Sequence, residues 1–192
     1  MRPTLTFANL NRISKLKIYA RSSFCGETMR IGIISDTHDR LPFISRAVRK
    51  LNEEKVDLVL HAGDYSAPFV ASMFKPLKAR MIGVFGNNDA EKELLRRNFN
   101  EIGVEIRGRF AEIRADGLKI ALLHGEEAEL LNSLLNTGSY NVVVYGHTHR
   151  SEVQRKNDVL ALNPGEACGY LSGKATIGLL DTTTMDVSII PI

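Results

Sequence analysis

The chain has 192 residues, 44% hydrophobic and 24% charged, with a formal net charge of +3. That length suits one domain with a core large enough to need no covalent staples, and no apolar run approaches the length of a membrane span, so no membrane partner is expected. The two cysteines, Cys25 and Cys168, lie far apart, which excludes a disulfide framework and a paired thiolate metal site and fits a reducing, cytoplasmic setting.

The charge is unevenly spread. Residues 1–28 carry Arg2, Arg12, Lys15, Lys17 and Arg21 against Glu27 alone, a balance of +4 that leaves −1 for residues 29–192. A surface for long nucleic acid would show a basic excess on the body, so nucleic acid is not an expected partner. The leader has no uninterrupted apolar stretch and is not a secretory signal. Its Arg/Ser-rich, acid-poor make-up superficially matches a mitochondrial transit peptide. The alternatives are an upstream start assignment, with Met29 as the natural start, and a genuine appended segment. Residues 1–28 are therefore set apart from a domain spanning 29–192.

From Met29 onward apolar runs alternate with helical stretches. "RIGIIS" reads as a short buried strand. "LPFISRAVRKLNEE" places Leu41, Ile44, Val48 and Leu51 on one helical face, with Pro42 suited to the first turn. "DLVLHAG" predicts a second strand, residues 67–75 a short helix, "RMIGVFG" a third strand and "AEKELLRRNF" a third helix. This β-α-β-α-β-α order argues for helices packed on a parallel sheet. The second half is richer in strand. "EIRADGLKIALLH" turns at Asp116-Gly117, a strong hairpin signal, and "AELLNSLLN" is helical. "NVVVYG" predicts another buried strand, "SEVQRKNDVLALN" a hairpin turning at Asn157-Asp158, and "ATIGLLDTTTMDVSII" a last strand pair. The fold class is mixed α/β, with no internal linker in 29–192.

Ligand-type side chains fall at strand ends five times: Asp36 and His38 after the first strand, His61 and Asp64 at the second, Asn87 after the third, His124 at the end of a fourth, and His147 and His149 after a fifth. The crevice beyond strand carboxyl ends is where open α/β sheets bind ligands. Each residue alone has a plainer explanation. Asp36 and Asp64 suit turns, Asn87 or Asn88 suits a helix cap, and His124 suits a hydrogen-bonded core position. Turn chemistry does not explain all of them together. Imidazole with carboxylate oxygen suits Mn, Fe, Ni, Zn or Co rather than Ca or Mg, and no cysteine is expected to take part. Two Asp, four His and one Asn are too many for one ion; they suit two, about 3.5–4 Å apart.

The ordered motifs "SDTH", "AGD", "GNND", "LHG" and "GHTH" resemble the calcineurin-like metallophosphoesterase superfamily. The compact length resembles its small prokaryotic phosphodiesterase branch, to which the eukaryotic retromer subunit is related. The resemblance covers residues 29 to about 166, ending at "LNPGE", which is similar to that branch's Asn-Pro-Gly loop. It implies a β-sandwich flanked by helices on both outer faces, an α/β/β/α arrangement. It implies that Asp36, His38 and His149 bind one divalent transition-metal ion and Asn87, His124 and His147 a second, with Asp64 bridging them. Manganese is the first expectation, with nickel, iron, zinc and cobalt as the other fits. The implied reaction is in-line attack on a small phosphodiester by a metal-bridging hydroxide.

Two departures stand out. Many family members carry His where this chain has Asn88, and that His is thought to protonate the leaving group. Asn cannot supply an acid proton, so Asn88 is expected to orient groups by hydrogen bonding or to cap the helix at 90–98. Poor leaving groups should suffer. Arg150-Ser151 follow "GHTH" where Pro is frequent. His61, still inside its strand, is expected either to support the core beneath the site or to serve as a substitute acid. The competing functions are a dinuclear phosphodiesterase, a metal-binding scaffold without catalysis, and a nuclease. Self-association into a homo-oligomer stays open.

Overall fold

The computed structural model describes residues 29–192; the basic leader, residues 1–28, and every reading placed on it lie outside the described residues. The Ile-rich segment forms β1 (Arg30–Ile34), parallel to β2 (Leu58–His61), which is parallel to β3 (Arg80–Gly83). Between them run α1 (Leu41–Glu53) and a 3₁₀ helix (Pro68–Phe74). A third helix, α2 (Lys92–Glu101), leads into a two-residue strand, β4 (Glu105–Ile106), parallel to β3. Two residues carry no periodicity, and sequence reading missed this strand.

The second sheet begins with the antiparallel hairpin β5 (Phe110–Ala115) and β6 (Leu118–Leu123). Its turn residues Asp116 and Gly117 sit at φ 47° and 78°, as a two-residue turn matched to strand twist requires. Helix α3 (Ala128–Thr137) ends at Gly138 in the left-handed conformation and leads to β7 (Val142–Val144). A second hairpin, β8 (Ser151–Lys156) and β9 (Val159–Pro164), turns at Asn157 and Asp158, both at positive φ. The last pair, β10 (Thr176–Asp181) and β11 (Val187–Pro191), returns to the first sheet, where β10 lies antiparallel to β1. The orders are β11-β10-β1-β2-β3-β4 and β5-β6-β7-β9-β8.

Three apolar layers hold this together. Ile31, Ile33, Leu58, Leu60 and Ile82 from the first sheet meet Ile113, Ile120, Leu122, Val142, Val144 and Leu162 from the second. The alternate residues Ile34, Val59 and Met81 face outward against Ile44, Val48 and Leu51 of α1, Phe74, and Leu95 and Phe99 of α2. On the far side Ala121, Leu123, Val143 and Ala161 pack on Leu131, Leu134 and Leu135 of α3. Strand alternation thus sends each sheet's side chains into two layers, which gives the expected sandwich with helices on both outer faces. Strands β1, β2 and β3 of one sheet and β6 and β7 of the other open their carboxyl-terminal loops toward one another.

Candidate metal centre

Main-chain hydrogen bonds lash those loops together. Asp36 N donates to Gly63 O (3.0 Å), and Thr37 N and His38 N both donate to Asp64 O (3.0 and 3.1 Å). Gly146 N donates to His124 O (2.8 Å), and Cys168 N to Asp36 O (3.0 Å). Close approach explains two glycines of the motifs. A Cβ on Gly86 would fall against Asp64 Oδ1, 2.8 Å from its Cγ, and one on Gly146 against Ser35 Oγ, 2.7 Å from Asp36 Oδ2. Asp36, His38, Asp64, His147 and His149 all adopt positive φ, between 39° and 67°. That region costs a non-glycine residue about 1–3 kcal/mol and is concentrated at functional sites.

Six of the seven proposed ligands converge. Asp64 is the hub: its Oδ2 lies 3.5 Å from His38 Nε2 and 3.3 Å from His124 Nε2. Asp36 Oδ1 lies 3.4 Å from His149 Nε2 and 3.8 Å from His38 Nε2. The rings of His38 and His149 stack at 5.2 Å, and those of His124 and His147 meet edge to face at 5.2 Å. His147 N donates to Asp36 Oδ2 (3.2 Å). Asn87 is the exception; it is exposed on the turn after β3, and no hydrogen bond joins its side chain to the cluster among the described residues.

The far ring nitrogens are already engaged. His38 Nδ1 meets Ser66 Oγ (3.2 Å), His124 Nδ1 meets Ala62 O (2.8 Å), and His149 Nδ1 meets Glu166 Oε2 (2.8 Å). A carbonyl or carboxylate partner demands a proton on Nδ1 and leaves Nε2 with a lone pair. Buried polar atoms are normally paired, yet Asp36 Oδ1, His38 Nε2 and His124 Nε2 are buried with no hydrogen-bond partner. Orphaned N and O donors aimed at one another are the environment of a cation of the transition series.

Without a cation the charges rearrange. Burial opposes charge on His124, but the Asp64 carboxylate 3.3 Å from Nε2, together with that of Asp36, prevails, lifting its pKa to about 9. His38 is raised as well: burial again works against the charge, and Asp36 and Asp64 outweigh it. Burial pushes Asp64 up, but the adjacent His124 ring and the hydrogen bonds from Asn88 hold it well below the usual carboxylate range.

Asn88 does not cap the following helix. Helix α2 starts at Lys92 with Glu91 in the cap position, and Asn88 serves Asp64 instead: its N and Nδ2 donate to Asp64 Oδ1 (2.9 Å) and Oδ2 (2.7 Å). His61 is fully buried, accepts from Gly63 N at Nδ1 (3.1 Å), meets Thr37 Oγ1 through Nε2 (3.4 Å), and stacks on Tyr65 at 3.8 Å. Burial and the neighbouring His124 push its pKa well down. A neutral, enclosed ring with both nitrogens engaged fits support of the core better than proton donation.

Three residues escaped assignment from sequence. Asp89 was visible as the last letter of "GNND"; its buried carboxylate accepts from the N–H groups of Asp64, Tyr65, Ser66 and Gly86 at 2.7–3.1 Å. Glu166, the last letter of "LNPGE", contacts His149. Cys168 was expected to take no part in the site; its sulfur nevertheless lies close, with ligand-type atoms of His38 and His149 and the sulfur all within 4.8 Å of one another. Burial and the thiol's hydrogen bond to Glu166 (3.0 Å) push its pKa up to about 12, so it stays a thiol rather than a thiolate ligand.

A sequence model of the calcineurin-like phosphoesterase superfamily domain matches residues 29–185. A phosphodiesterase of Methanocaldococcus jannaschii is 44% identical over 155 residues, covering 80% of this chain and 93% of that protein. The solved structure of an archaeal phosphodiesterase superposes with a TM-score of 0.82 at 42% identity, covering 85% of this chain and all of that one. A Vps29 structure from Entamoeba histolytica, at 19% identity, shares the fold with a TM-score of 0.60, covering 85% of this chain and 99% of that one.

Proposed function

The chain belongs to the calcineurin-like phosphoesterase superfamily and is a phosphoric diester hydrolase, and we propose that it cleaves small phosphodiesters with two divalent transition-metal ions. Asp36, His38 and His149 would hold one ion, His124 and His147 the other, and Asp64 both. Asn87 would complete the second set by turning inward from its exposed position. The observation that carries this reading is Asp64 Oδ2, one buried oxygen set 3.5 Å from His38 and 3.3 Å from His124. Manganese is the ion we favour; the mixed imidazole and oxygen set accepts nickel, iron, zinc and cobalt as well.

Such a pair of ions lowers the pKa of bound water to near neutrality and neutralises charge on the phosphoryl oxygens. The protein's own groups keep that arrangement in place. Asp89 fixes the loop that carries Asp64. Asn88 holds both oxygens of Asp64 and, lacking an acid proton, leaves the departing group to be protonated by solvent. Esters with acidic leaving groups are therefore the favoured substrates. The body's charge of −1 gives long nucleic acid little electrostatic attraction, which sets the nuclease reading below that of a small-diester enzyme. The one described cysteine is a free buried thiol, in keeping with a reducing cytoplasm.

The test is hydrolysis of bis-p-nitrophenyl phosphate with added Mn2+. Activity should require metal and vanish in Asp64→Ala and His147→Ala. Turnover that persists in excess chelator with no metal bound would sink the proposal. A wild-type protein that binds metal without any turnover would favour the scaffold instead.

A further inference from the structure

Glu166 has no solvent exposure and collects an unusual set of donors. Five lie in the loop that follows: Cys168 Sγ (3.0 Å), Tyr170 N (2.9 Å), Leu171 N (2.9 Å), and Ser172 N and Oγ (2.5 and 2.6 Å). A loop anchor accounts for these. The sixth, His149 Nδ1 at 2.8 Å, belongs to a different loop 17 residues away and is not needed to hold residues 168–172 in place. His38 meets only a hydroxyl at its far nitrogen, and His124 a main-chain carbonyl. Among these three rings, His149 alone meets a full negative charge at its far nitrogen.

We propose that Glu166 is a positioning residue for His149, fixing its proton on Nδ1 and strengthening Nε2 as a donor, so that the Asp36–His38–His149 half of the centre binds its ion more tightly than the other half. The inference rests on the dinuclear reading above. A carboxylate behind a ligating imidazole sets its tautomer and orientation and raises its basicity, and losing such a partner typically costs 10–100-fold in metal affinity.

Zinc titration of the metal-free protein tests this. Wild type should take up two Zn2+ per chain. Glu166→Gln should keep one site at wild-type affinity and weaken the other 10–100-fold. In a His149→Ala background the same change should have no further effect on the remaining site. Ser172→Ala, which removes a loop donor without touching His149, should leave both affinities unchanged. The Gln amide would face several donors, which costs the variant stability; histidine 15N NMR of zinc-loaded wild type needs no variant and should show His149 protonated at Nδ1 and bound through Nε2. Unchanged affinities in Glu166→Gln, equal weakening at both sites, or zinc on Nδ1 of His149 would each overturn the inference while leaving the metal pair intact. Wild type that takes up no second ion would overturn the dinuclear reading, and this inference with it.

Discussion

Loading the metal-free protein with Mn2+ at pH 7 should expel a proton from His124. Its ring is fully buried, with Nε2 3.3 Å from Asp64 Oδ2 and a pKa of about 9. To bind a cation, Nε2 must first be deprotonated. Two pH units separate 7 from about 9, so the displaced proton costs about a hundredfold in apparent affinity. Affinity should therefore rise about tenfold between pH 7 and 8. Calorimetric titration in buffers of unlike ionisation heat counts the protons; at least one should leave at pH 7. No proton released, with affinity flat over that range, would refute the reasoning. Stability of the metal-free protein follows the same linkage. The folded-state pKa lies above the ordinary 6.5, so the contribution is complete below pH 6.5 and lost as pH rises through about 9. His38, also raised, acts in the same direction. The Tm without metal should fall across that window, and His124→Ala should flatten the fall.

Asp89→Ala would strip four main-chain N–H groups of their acceptor; at about 1–3 kcal/mol for each buried orphan, urea unfolding should show a loss above ~3 kcal/mol, and a loss under ~1 would mean the loop is held otherwise. Gly146→Ala drives a methyl into Ser35 and Asp36, an overpacking cost of about 1–3 kcal/mol. It should also lower metal uptake, so wild-type stoichiometry by elemental analysis would contradict the placement of Asp36. Asn88→His should raise kcat for alkyl phosphodiesters relative to nitrophenyl ones; equal effects on both would show that leaving-group protonation does not limit the rate.

What the sequence revealed was set by locality. Both hairpins were legible because Asp116-Gly117 and Asn157-Asp158 carry their turn geometry in two residues. The stripe of Ile44, Val48 and Leu51 announced α1, and residues at strand ends announced the site. Sheet membership was not legible: that β10 leaves its neighbours to pair with β1 is decided by packing across the molecule. Nor was the use of Asn88, since an amide can accept as a helix cap or donate to a carboxylate, and the choice is made only in the fold. Nothing around Glu166 in "LNPGE" marked a role for it; its tie to His149 exists only once two loops 17 residues apart are folded together.

The cluster draws Asp36, His38 and Asp64 from one sheet and His124, His147 and His149 from the other. Ions seated there would rivet two slabs together at one rim of the sandwich. Prising the slabs apart would then wait on dissociation of the rivet, so lifetime in the native form should lengthen with free metal more steeply than folding speeds up, and resistance to proteases should depend on metal supply.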